Sequence, residues 1–191
     1  GTEVFLTRNN DNFIPLEERT AIANQLGADL FISIHANSSR NRKVSGVETF
    51  FQGLPTNRDE RDVASRENAS SQKNIRELED LLKRIALGDY NEESRDFAQV
   101  IQNNLFSGIR PHRPYFRNRG VKKAPFIVLI NLNMPGILLE IGFISNPAEE
   151  KYLKQAKGQK AVVEAIYSGV KKYFHALGTV SPNQRRASLQ Q

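Results

Sequence analysis

Two short apolar runs constrain this chain more than any other feature in it. Leu30-Phe31-Ile32-Ser33-Ile34 and Ile137-Leu138-Leu139 show little polar–apolar alternation, so each reads as a strand buried on both faces. Such a strand needs helices above and below it. The expected architecture is therefore α/β and three-layered: a twisted, mostly parallel sheet with helices on both faces. Each run leads straight into an ionisable residue. His35 follows the first, and Glu140 follows the second, with apolar Ile141 and Phe143 behind it. Ligands of open α/β sheets bind beyond the carboxyl ends of the strands, which puts an imidazole and a carboxylate where sites are built. An ionised Glu among apolar neighbours is costly unless it is paired or near a cation. A His at a strand end also serves as an ordinary hydrogen-bonded structural residue. One His and one Glu do not complete a catalytic zinc site, which takes three protein ligands and an open position.

Other segments fill in the layers. Segment 3–7, with Val4-Phe5-Leu6, predicts a further strand, and Arg8–Asn12 a turn. Pro15 opens a helix that Gly27 closes. Val44 to Gln52 alternates and predicts an edge or next-to-edge strand, and Phe126–Leu129 predicts another strand. Arg110 to Lys123 reads as a basic loop. Pro147 starts a helix with Glu149 and Glu150 in its first turn, favourable at the positive end of the helix dipole. The last helix is expected over about 159–177, with Val162, Ile166, Val170, Tyr173 and Phe174 as its buried stripe. Residues 181–191 hold too little apolar surface to pack and predict a disordered tail. Gly1 leads into an expected strand with neither initiator Met nor signal peptide, which reads as a fragment or processed form.

Charge divides the chain. The whole carries a formal +6, whereas Arg58–Asp96 holds 8 basic and 11 acidic residues, a net of −3 against +9 for the rest. Ile75, Leu78, Leu81, Leu82 and Ile85 recur there at helical spacing, with Gly88 as a stop. An amphipathic segment of opposite charge between strand–helix units predicts a helical insertion at about 57–96 within one domain over 1–180. The absence of Cys removes disulfides, thiolate metal sites and a cysteine nucleophile. No apolar run approaches the roughly 20 residues of a membrane span.

Four stretches together go further: Gly1–Arg8 with Pro15–Arg19, Ser33-Ile34-His35-Ala36-Asn37, Arg119-Gly120-Val121-Lys122, and Leu139-Glu140-Ile141-Gly142-Phe143-Ile144-Ser145-Asn146. They resemble the zinc-dependent N-acetylmuramoyl-L-alanine amidases of bacterial cell-wall turnover, the Amidase_3 type, over residues 1 to about 177. The resemblance implies a zinc ion held by two His and one Glu, with a second Glu in catalysis. His35 matches the later His ligand and Glu140 the catalytic Glu. The first His and the ligand Glu belong upstream of the matched segment and have no counterpart here. His112, in an Arg/Pro-rich loop, and His175, at the end of a surface helix, do not replace them on any motif ground. Arg66-Glu67-Asn68-Ala69 resembles a motif of the regulated, cell-separating members. In those, a helical insertion plugs the site, and the matching Glu is an inhibitory zinc ligand until a degenerate LytM-type activator withdraws it. Peptidoglycan would be the substrate and the cell envelope, periplasmic or extracellular, the location.

Glu67 also reads as one more solvated charge on a helix, and Ile75–Ile85 as a plain packing stripe. Arg110, Arg113, Arg117, Arg119, Lys122 and Lys123 form a basic run with no acid between them, suited to a solvated face or to anionic cell-wall material. Three classes stand: a hydrolase, an incomplete fragment that only binds wall or activator, and a nucleic-acid binder. The last has only Tyr115 and Phe116 for stacking and no recognised module.

Overall fold

The computed structural model describes residues 2–71, 90–113 and 115–179. Its helices are α1 (Leu16–Gln25), α2 (Arg58–Glu67), α3 (Asn91–Ile109), α4 (Pro147–Leu153) and α5 (Ala156–Thr179); its strands are β1 (Phe31–Asn37), β2 (Val47–Gln52), β3 (Asn118–Ala124) and β4 (Gly136–Phe143). Local chemistry sets several boundaries. The Asn57 side chain accepts from the Glu60 amide at 3.0 Å, and the Glu60 carboxylate returns to the Thr56 amide at 2.6 Å, closing the first turn of α2. Asn146 caps α4 by accepting from the Ala148 amide at 3.0 Å, with Pro147 at the first helical position.

The sheet order is β1-β4-β2-β3. β1 with β4 and β2 with β3 are parallel, and the two pairs join through an antiparallel β2/β4 ladder. Both faces are covered. Leu138 and Phe50 pack with α1, α2 and the turn at 127–129, whereas Ile137 and Leu139 pack with Phe97, Ala98 and Ile101 of α3 and Tyr173 of α5. The three-layer α/β expectation therefore stands, with β2 next to the edge strand β3.

Three local expectations change. Residues 2–6 form no strand, and Val4 and Leu6 are exposed; among the described residues nothing pairs with them, and an unpaired strand leaves its ladder unsatisfied. Phe126–Leu129 is a buried 3₁₀ turn over Ile127–Leu129. Asn68 explains this: its amide nitrogen donates to the Pro125 carbonyl at 2.7 Å and its oxygen accepts from the Ile127 amide at 3.0 Å, satisfying backbone that a ladder would otherwise claim. The basic run holds the edge strand β3 as well as a loop. Of the expected insertion, α2 and a 3₁₀ turn at Asn68–Ser70 are seen. The Ile75–Ile85 stripe, Gly88 and the 181–191 tail lie outside the described residues.

Candidate active site

Strand register assembles a row of ionisable side chains. His35 on β1 pairs with Glu140 on β4, and Glu140 pairs in turn with Glu48 on β2. Side chains alternate along a strand, so Glu140 shares the face of Leu138, and Glu48 that of Phe50, the face that carries α2. His35 and Glu140 come from the C-terminal halves of their strands. Because β2 runs antiparallel to β4, Glu48 and Arg119 reach the same place from the N-terminal ends of β2 and β3.

The end of α2 lies over this row. His35 Nδ1 is 2.5 Å from Glu67 Oε2, and its Nε2 is 2.8 Å from Ser33 Oγ. Arg66 donates to Asn37 Oδ1 at 2.9 Å, and Asn37 donates to Glu48 Oε1 at 2.7 Å. Glu48 is buried, with Arg119 Nε at 2.9 Å and Lys122 Nζ at 2.5 Å on its other oxygen. The Arg119 guanidinium also lies over the Phe143 ring, 5.2 Å from its centre.

Glu140 is treated differently. It is fully buried, and neither carboxylate oxygen has a hydrogen-bond partner among the described residues. Burial, then the negative charges of Glu67 and Glu48, push its pKa up to about 9 against the opposing pull of Arg66. At neutral pH a carboxyl in that state carries a proton. Behind the row, Glu149 of α4 accepts from the Gly46 amide at 2.8 Å and the Phe143 amide at 2.7 Å, tying the start of β2 to the end of β4. Burial raises the Glu149 pKa while those two amides and the nearby arginines lower it.

His35, Glu67 and Glu140, selected from the sequence, thus meet at one end of the sheet. His175 is exposed on α5. No group of three His, Cys, Asp or Glu side chains among the described residues is arranged to hold a metal ion. Glu48 escaped the sequence reading because an acid alternating with apolar residues looks like the solvent phase of a strand. The available signal was that β2 precedes a strand rich in Arg and Lys.

Comparison with known proteins places the chain in a family. The Amidase_3 family model, N-acetylmuramoyl-L-alanine amidase, matches residues 1–172. The chain is 33% identical to the N-acetylmuramoyl-L-alanine amidase AmiA of Escherichia coli K12 over 184 residues, 92% of this chain and 62% of that protein. It is 35% identical to AmiC of Escherichia coli O6:H1, covering 90% of this chain and 42% of that one. An N-acetylmuramoyl-L-alanine amidase structure from Clostridium difficile 630 superimposes with a TM-score of 0.64 at 27% identity, over 88% of this chain and 69% of the other. The chain spans about six-tenths of AmiA and less of AmiC. On the family match, the identities and the shared fold, it belongs to the N-acetylmuramoyl-L-alanine amidase family.

Proposed function

We propose that this chain contributes the catalytic face of a peptidoglycan amidase of the cell envelope. The reaction is hydrolysis of the amide joining the lactyl group of N-acetylmuramic acid to L-alanine of the stem peptide, with zinc as cofactor. The observation that carries the reading is Glu140, a buried carboxyl with no partner for either oxygen, paired in register with His35. Imidazole and carboxylate are donor types that zinc takes, and a cation beside Glu140 would relieve the cost of its burial. His35 would be one ligand and Glu67 an inhibitory one; no third His, Cys, Asp or Glu completes a set with them among the described residues.

Zinc, when bound, supplies Lewis-acid polarisation of the scissile carbonyl. Glu140 takes a proton from the attacking water as the C–O bond forms, and gives it to the amide nitrogen as the C–N bond breaks. The buried wall behind Glu140 keeps bulk water from competing for that proton.

The helical insertion at about 57–96 acts as a plug in this reading. Support comes from α2, whose Glu67 sits against His35 while its Arg66 grips Asn37, and from Asn68, which fastens the end of α2 to the turn at 125–127. Withdrawing α2 would free His35 and also remove one of the negative charges that oppose ionisation of Glu140. One movement therefore opens the ligand position and readies the base. A LytM-type activator during cell separation is the partner that fits. The test is digestion of purified peptidoglycan by the protein with its full ligand set, with products identified by mass spectrometry. Free stem peptides and lactyl-terminated glycans are expected, and Glu140→Gln should release neither. Cleavage retained in that variant would remove Glu140 from the mechanism.

A further inference from the structure

Three loops close the end of the sheet that carries the row: 38–46 after β1, 110–117 before β3, and 144–146 after β4. They form one connected surface. The Val47 amide donates to the Arg117 carbonyl at 3.0 Å, the Ser39 amide to Ser145 Oγ at 2.9 Å, and the Asn146 side chain to the Val44 carbonyl at 3.2 Å. Gly46, at φ +115°, packs so tightly that a Cβ there would lie 2.2 Å from the Arg117 carbonyl oxygen; only glycine permits that approach.

The loops carry Arg40, Arg42, Lys43, Arg110, Arg113 and Arg117 and not one acid. At the opposite end of the sheet, segments 26–30, 53–57 and 125–135 hold no Lys or Arg and a single acid, Asp29. Basic charge is therefore concentrated at the site end. Among the described residues none of the six cations forms an ion pair. Arg113 and Arg42 donate to the backbone carbonyls of Ala148 and Ser145. Glu150 of α4 feels Arg42 weakly but is hydrogen-bonded to Lys154. One step inward the pattern reverses, since Arg119 and Lys122 are both engaged by Glu48. Inner cations are structural; of the outer six, Arg113 is half-buried over the Tyr152 ring and near Glu149, and the other five are exposed and in no ion pair among the described residues.

We propose that this outer rim binds the free carboxylates of the peptide stem next to the scissile amide, so that the site selects a multiply anionic peptide. The inference rests on the amidase reading given above. Whatever reaches Glu140 must present its neighbouring groups to these loops, and in a wall peptide those groups are carboxylates. Exposed cations on two neighbouring loops suit a flexible chain held by several weak, salt-sensitive contacts. Nucleic acid is disfavoured because sequence-tolerant binding also needs stacking platforms, and Tyr115 is the one exposed aromatic on the rim.

The test is co-sedimentation of the 191-residue chain with insoluble peptidoglycan stripped of phosphate polymers, either native or with its carboxyls converted to amides by carbodiimide and ammonia. The native chain should bind native peptidoglycan at low salt. Binding should fall on the order of tenfold or more on amidation, at high salt, or in the triple variant Arg40→Gln, Lys43→Gln, Arg117→Gln. The altered side chains are exposed, and an unchanged melting temperature would show that the variant is folded. Equal binding by wild type and triple variant, equal binding to amidated material, or no binding at all would overturn the rim. Binding that appears only when phosphate polymers are left in place would assign it to those polymers and overturn it as well. Turnover is not read in this assay, so failure of the amidase reading, seen as absent cleavage by the protein with its full ligand set, remains a separate result.

Discussion

On β2, Glu48 is enclosed by Asn37, Arg119 and Lys122. Across the ladder on β4, Glu140 is equally buried and touches no donor among the described residues. Both are carboxylates in apolar strands, in register with each other. The first is neutralised by cations from the next strand, and such a charge holds structure together. The second is left without partners, raised to about 9, and costs stability in any state that ionises it. The contrast separates an acid held by counter-charges from one held by none among the described residues, where burial alone would not, and the proposed role of Glu140 rests on that difference.

The contrast can be broken most forcefully at Glu140. In the protein with all its ligands, Glu140→Gln should lower turnover of peptidoglycan by about 10²–10⁴-fold, the usual share of a general acid–base group; steady-state assays would show whether the loss falls on kcat. Glu48→Gln should act on stability instead. It leaves Arg119 and Lys122 without a counter-charge, and urea unfolding should report a loss of about 3 kcal/mol, the lower end for a broken buried pair because both cations are partly exposed.

The pH dependence sharpens the same difference. Glu140 has a folded pKa of about 9 against an ordinary value of 4.5, so between those limits the native state holds a proton that the unfolded state has released. Native stability therefore falls as pH climbs through that window, by at most about 1.4 kcal/mol per unit. Glu140→Gln should flatten the slope: melting temperatures of variant and wild type should converge near pH 4.5 and separate, variant above, towards pH 9. The smallest stability effect is expected at Glu67. Its contact with His35 is partly exposed, so Glu67→Ala should cost no more than about 1 kcal/mol while raising basal amidase activity in the protein with its full ligand set. Unchanged basal activity in a folded, zinc-loaded variant would return Glu67 to an ordinary surface charge.

Much of this site was legible because periodicity and position act locally. The apolar runs ending at His35 and Glu140 showed both strands and the end of the sheet at which those two residues pair. Pro15 and Pro147 marked the starts of α1 and α4, and the Val162–Tyr173 stripe marked α5. What was missed depends on partners distant in sequence. Glu48 is held by residues 71 and 74 positions away. β3 hides its strand character because its inward side chain at 122 is a lysine, whose charge is met, among the described residues, only by Glu48 on β2. Phe126–Leu129 is apolar enough for a strand, and distant partners hold it as a 3₁₀ turn: Asn68, 59 positions before the Ile127 amide it binds, and Thr20, which donates to the Val128 carbonyl.

The most direct measurement is a ¹³C NMR titration of the Glu140 side-chain carboxyl in the metal-free chain, assigned by its loss in Glu140→Gln. The account predicts a carboxyl still protonated at pH 7 that titrates near pH 9, apart from the other glutamates. A midpoint near 4.5, with Glu140 ionised at neutral pH in the folded chain, would contradict it.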